Sequence, residues 1–143
     1  MARTAQAKWN GTLKGGDGTM ALGSGAWSGP YSFRSRFEDG EGGANPEELI
    51  GAALAACFSM AFSADLERAG IESESVETEA VVELRPVDGT PTITAVALTT
   101  TATTPGADEA AVRELGEAAK EACIIRRALA GIETVTLELS VAT

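Results

Sequence analysis

The sequence predicts an α+β fold on three observations. A Gly-rich N-terminal stretch carries short apolar runs that read as strands, a long Ala-rich helix starts at Asn45-Pro46-Glu47-Glu48, and longer Val- and Thr-rich strands bracket one more helix beyond Gly70. The expected architecture is an N-terminal three-stranded unit and a second antiparallel sheet of three strands around two helices. With 143 residues, 44% of them hydrophobic, and no internal repeat or linker, the chain reads as a single domain over 1–143.

In order, Ala5 to Leu13 contains alternating and aromatic residues and Lys14-Gly15-Gly16-Asp17-Gly18 is a turn signal, so Thr19 to Leu22 returns as the second strand of a hairpin. Tyr31, Phe33, Ser35 and Phe37 alternate with Ser32, Arg34 and Arg36, which predicts a third strand. Glu38 to Gly43 is expected to be a flexible acidic loop.

Asn45 is a good N-cap, Pro46 has the backbone angle of a first helical residue, and Glu47 and Glu48 lie where the helix dipole favours negative charge. From Leu49 to Phe62 the one polar residue is Ser59. This run is shorter than the roughly 20 apolar residues of a bilayer span. It is expected to be a central helix, buried on most sides and carrying the thiol of Cys57, that stops at Gly70.

Ile71 to Leu84 alternates Val76, Thr78, Ala80, Val82 and Leu84 with Glu77, Glu79 and Glu83, as a strand with one solvated face does. Val87-Asp88-Gly89-Thr90 supplies a hairpin turn and Thr92 to Thr103 the returning strand. Asp108 caps a second helix through Ala122, and Thr134 to Val141 closes the fold.

Charge and composition narrow the chemistry. A net charge of −10 removes the main electrostatic support for phosphate-backbone binding, so no nucleic acid partner is expected. The N-terminus has no apolar export segment, which gives a cytoplasmic expectation with reduced thiols and no membrane association. There is no histidine. That removes Ser-His and Cys-His pairs and almost every ordinary zinc or iron site, and no metal or cofactor is expected. Chemistry then rests on Cys57 and Cys123, which are too far apart in sequence for a C-x-x-C motif, and on charged neighbours.

A Cys on an Ala-rich helix is often a small hydrophobe. Against that stand the second Cys at the end of the second helix and Arg36, with the acidic pair Glu47-Glu48. A guanidinium near a thiol favours the reactive thiolate, and a carboxylate can hold that guanidinium in a fixed fork. From the residues alone, Arg34 and Glu48 compete with Arg36 and Glu47 for these roles. A non-catalytic ligand-binding or structural dimer with inert cysteines, and an acyl-transfer enzyme using Cys57 alone, also stay open.

Arg36-Phe37, the block Asn45-Pro46-Glu47-Glu48-Leu49-Ile50-Gly51-Ala52-Ala53, the segment Ala55-Ala56-Cys57-Phe58-Ser59-Met60-Ala61, and Cys123 at its distance together resemble the OsmC/Ohr family of thiol-dependent organic hydroperoxide reductases. The resemblance covers essentially the whole chain and implies an OsmC-like fold, expected here as an intertwined homodimer. It implies that Cys57 is the peroxidatic cysteine, Cys123 the resolving one, and Arg36 with Glu47 the ion pair that activates the thiolate and orients substrate. It further implies organic hydroperoxide as substrate, a dithiol of the dihydrolipoyl type as reductant, and a part in stress defence. One position departs from the family: its second cysteine is commonly followed by Pro. Here Ile124-Ile125-Arg126-Arg127 follows, leaving the helix free to run on past Cys123.

Spacing adds the dimer argument. Glu47 and Cys57 are ten residues apart, about 15 Å along one helix, so a carboxylate does not reach the thiol of its own chain along it. Two such helices crossing antiparallel near Ala52, at the small residues Gly51, Ala53, Ala55 and Ala56, bring Glu47 of one chain towards Cys57 of the other. Phe37, Leu54, Phe58, Met60 and Ile124 are the expected apolar approach for substrate.

Overall fold

A computed structural model describes residues 1–38 and 42–143. Residues 39–41, within the acidic loop expected over Glu38–Gly43, lie outside the described residues. The chain divides into two compact units, Met1–Leu49 and Ile50–Thr143.

The first unit holds an antiparallel sheet in the order β1-β2-β3, with β1 Ala5–Asn10, β2 Asp17–Leu22 and β3 Ser28–Tyr31. The expected hairpin is there, but its first strand stops at Asn10, and Leu13 belongs to the turn. The third strand corrects the expectation more sharply. It lies upstream, over Ser28–Tyr31, with Pro30 tolerated because β3 is an edge strand.

Phe33–Phe37 is instead a short helix, α1. Its cause is local. The Ser32 side chain accepts the Ser35 N–H at 3.1 Å and the Ser35 hydroxyl accepts the Ser32 N–H at 2.9 Å, a reciprocal capping box. Phe33 and Phe37, one turn apart, stack with centroids 5.2 Å apart. An even spacing of four satisfies a strand pattern and a helix pattern equally.

Helix α2, Pro46–Arg68, starts where expected: Asn45 Oδ1 accepts the Glu48 N–H at 2.8 Å. By length and composition its 23 residues suffice to cross a bilayer, because the helix extends beyond the Leu49–Phe62 run on both sides. In the second unit its stripe Leu54, Phe58, Phe62 and Leu66 is completely buried, as in the core helix of a globular fold. Burial on most sides is also corrected. Ala52, Ala53, Ala56 and Met60 are exposed in the single chain, leaving an apolar face uncovered.

The second sheet runs β4-β5-β6, with β4 Ser75–Val87, β5 Thr90–Thr103 and β6 Thr134–Ala142. Asp88 and Gly89 form a two-residue turn with φ of 49° and 78°, the doubly positive geometry whose twist matches a hairpin. Val96, Leu98, Thr100 and Ala102 point inwards from β5, and Glu77 and Glu79 of β4 are solvated. This sheet is mixed, not antiparallel throughout, because β5 and β6 pair in parallel. The reason is the connection: α3 Glu109–Ala122 and α4 Ile124–Ala128 make the helical crossover that returns a chain in the same direction.

Helix α3 is capped by Asp108, whose carboxylate accepts the Ala111 N–H. It buries Val112, Gly116 and Ala119, and Cys123 continues that stripe one turn on. The helix does not run past Cys123. Cys123 takes φ −55° and ψ 126° and separates α3 from α4 without a proline.

Candidate active site

In the first unit, α1 carries Arg36 and the first turn of α2 carries Glu47. Arg36 Nη2 and Nε donate to Glu47 Oε1 at 2.8 and 3.0 Å, and Nε also lies 3.3 Å from Oε2. The Glu47 side chain is 12% exposed, so this fork holds a nearly buried carboxylate, while the guanidinium remains reachable at 41%. Arg34 turns instead to Glu38 in an exposed pair, and Glu48 is exposed. Of these side chains, Arg36 and Glu47 make the ordered, partly buried pair.

Arg36 also borders a cavity of about 230 Å³ whose other walls are largely Trp9, Leu13, Tyr31, Phe33 and Phe37. The guanidinium lies 5.0 Å from the centre of the Phe37 ring. Glycine makes room for the aromatic wall: a Cβ on Gly18 would stand 2.6 Å from Tyr31 Cζ and 2.8 Å from the Lys8 carbonyl oxygen. Trp9 and Tyr31 carry no expected role from sequence beyond strand formation. Leu54 and Phe58, expected to line the substrate approach, are instead fully buried in the second unit, whereas Phe37, Met60 and Ile124 are exposed.

The second unit brings the two thiols together, both free. Cys57 flanks the buried stripe of α2 and is half-buried, while Cys123 is 1% exposed at the junction of α3 and α4. Burial pushes the Cys57 thiol up. The Ile125 N–H, the Cys123 thiol and the Ile124 N–H outweigh it, and its pKa falls below the ordinary 9.0. Cys123 moves the opposite way: burial and the neighbouring Cys57 raise it, against the lowering effect of the Arg126 and Ile125 N–H groups.

These N–H groups belong to the first turn of α4, where helical backbone donors have no intrahelical partner. No side-chain capping hydrogen bond joins Cys123 to α4, and the N–H groups act on the sulfurs as oriented dipoles. They are the feature that the sequence does not reveal, because the helix break at Cys123 is what aims them. The arrangement supports a nucleophilic thiolate at Cys57 with a second thiol beside it, which suits two-electron chemistry ending in a disulfide.

Comparison with known proteins follows the same line. A family model described as OsmC-like protein matches residues 38–138. The chain is 43% identical over 138 residues, 96% of either chain, to a protein of Escherichia coli K12 named Peroxiredoxin OsmC. Among solved structures, it is similar to the Organic Hydroperoxide Resistance Protein OhrB of Bacillus subtilis, with a TM-score of 0.71, 28% identity, and coverage of 96% of this chain and 98% of that one. An OsmC-like protein of Mycoplasma pneumoniae shares the fold at a TM-score of 0.78 and 14% identity, covering 100% of this chain and 99% of that one.

Proposed function

Since the chain belongs to the OsmC-like protein family and is a peroxiredoxin in class, we propose that it reduces organic hydroperoxides, and hydrogen peroxide less efficiently, with Cys57 as nucleophile and Cys123 as resolving thiol. The observation that carries this reading is the depressed pKa of Cys57 beside a buried second thiol. The Cys57 thiolate attacks the outer peroxide oxygen. An S–O bond forms, the O–O bond breaks, and the alkoxide leaves as alcohol after taking a proton.

The resulting sulfenic acid is attacked by Cys123, which forms the disulfide and expels water. A dithiol of the dihydrolipoyl type then restores both thiols and is itself oxidised to a disulfide. The aromatic cavity at Arg36 suits the organic part of a hydroperoxide, and likeness to the organic hydroperoxide resistance protein of Bacillus subtilis supports the same reading. In this reading the protein acts in the cytoplasm in defence against peroxide stress.

Arg36 and Glu47 serve as the activating pair, supplied by one subunit of a homodimer to the thiols of the other. The ten-residue spacing of Glu47 and Cys57, about 15 Å along a helix, and the exposed face Ala52, Ala53, Ala56 and Met60 support that arrangement. Inactive Arg36→Ala and inactive Cys57→Ala proteins regain part of their activity on subunit exchange. No recovery in demonstrated mixed dimers argues against shared sites.

The deciding assay follows consumption of cumene hydroperoxide and hydrogen peroxide, with dihydrolipoamide or dithiothreitol, by the native protein, Cys57→Ser and Cys123→Ser. Turnover that vanishes in Cys57→Ser and is faster with cumene hydroperoxide supports the reading. Equal inactivity of native protein and Cys57→Ser with every peroxide and reductant refutes it.

A further inference from the structure

We propose that Asn45 is a positioning residue for the Arg36–Glu47 pair, its one amide side chain fixing the backbone under both partners. Asn45 Oδ1 accepts the Glu48 N–H at 2.8 Å, which sets where α2, and with it Glu47, begins. Asn45 Nδ2 donates to the Ser35 carbonyl at 3.2 Å, and Ser35 is the residue before Arg36 in α1. A second tie joins the same two segments, since the Ser35 hydroxyl lies 3.1 Å from the Ala44 carbonyl oxygen as well as from that of Ser32. Asn45 itself is half-buried.

The physical need for such a clamp lies in the arginine. Its side chain is long and rich in rotamers, while a fork on a carboxylate tolerates little displacement. With Ser35 and the α2 cap tied through Asn45, the two ends of the ion pair are set before the guanidinium closes on Glu47, so less freedom is lost in holding it there. Asparagine fits this double role in a way the other good N-caps do not. Ser, Thr and Asp supply the accepting oxygen, but none presents an amide donor to the Ser35 carbonyl at the same time.

The proposal rests on the reading of Arg36 and Glu47 as the activating pair, and its test separates the two. Asn45→Ser and Asn45→Asp keep an oxygen for the Glu48 N–H and lose the donor to Ser35. Folding is checked by circular dichroism and thermal melting. The expected result is native-like melting with kcat/KM for cumene hydroperoxide lowered by about 10- to 100-fold, the scale of loss when a reacting group is misplaced by an ångström or less. The pH of half-maximal Cys57 alkylation moves up in both variants, as in Arg36→Ala.

In an Arg36→Ala background, Asn45→Ser costs no further activity, because the residue it positions is gone. Native activity in a folded Asn45→Ser protein, or the same fold-loss with and without Arg36, overturns the proposal alone. Full activity in Arg36→Ala overturns the underlying reading and the proposal with it. If neither Asn45 variant folds, the residue is a structural cap and the proposal falls.

Discussion

Cys57 and Cys123 move each other in opposite directions: the Cys123 thiol stabilises the Cys57 thiolate, and Cys57 raises Cys123. One thiol is thus prepared to attack while its neighbour keeps its proton. Replacing Cys123 by Ser keeps an O–H donor beside Cys57, and replacing it by Ala removes that donor. The pH midpoint of Cys57 alkylation by monobromobimane is expected below 9.0 in Cys123→Ser and higher in Cys123→Ala.

Stability follows the same signs. The depressed Cys57 contributes stability that is full above 9.0 and lost as pH falls through its lowered value. The raised Cys123 contributes stability that is full below 9.0 and lost as pH rises through its raised value. Equal midpoints in the Ser and Ala variants would show that the neighbouring thiol has no influence.

Gly18 controls the cavity at Arg36 through its missing side chain. Ala there meets the Tyr31 ring and the Lys8 carbonyl, and only the ring can yield. Tyr31 packs at 5.3 Å on Trp9, so both aromatic walls shift together. Gly18→Ala is expected to raise KM for cumene hydroperoxide by about 10-fold, the order lost with a hydrophobic subsite, while turnover of hydrogen peroxide stays near native. A uniform loss with both peroxides would detach the cavity from substrate selection.

A chain of hydroxyls locks α2 to the second sheet. Ser59 donates to Thr78 at 2.8 Å, and Thr78 and Thr100 share a hydrogen bond of 3.1 Å, with Thr100 1% exposed. Ser59→Ala leaves Thr78 and Thr100 bonded to each other and costs about 1 kcal/mol. Thr78→Val takes the partner from both Ser59 and Thr100, and Thr100, 1% exposed, is then a buried hydroxyl without a partner at about 1–3 kcal/mol, so this variant is expected to be the less stable. Urea denaturation that ranks the two in the opposite order would refute the chain.

How much of this was legible in the sequence depends on how local each signal is. The Asn45-Pro46 start of α2, the Asp108 cap of α3 and the Asp88-Gly89 turn are fixed by a few adjacent residues, and all stand where the sequence puts them. Helix α1 was hidden because Phe33, Ser35 and Phe37 alternate while the deciding feature is the Ser32–Ser35 box. The parallel pairing of β6 is set by the crossover length, which alternation within a strand does not report.

The candidate site divides along the same line. Cys57, Cys123, Arg36 and Glu47 stand out by residue type and by likeness to a family. Besides the Cys123 thiol, the donors that favour the Cys57 thiolate are backbone N–H groups of Ile125 and Ile124, which any residue but proline could supply, so no letter of the sequence marks those two.

That exception makes the family's proline informative. Cys123 already has φ −55° and ψ 126°, the extended conformation that a following proline imposes, and Ile124 is the first residue of α4, where a missing N–H breaks no intrahelical bond. Ile124 is also 73% exposed, so its side chain is lost cheaply. Ile124→Pro is therefore expected to stabilise the fold by about 0.4–1 kcal/mol, chiefly by restricting the unfolded chain. The same change deletes one of the two N–H groups that lower Cys57, so its alkylation midpoint moves up and the peroxidatic step slows at neutral pH. A higher melting temperature with a less acidic Cys57 is the expected pair of results. A midpoint unchanged by the proline would show that the Ile124 N–H contributes nothing to the shift.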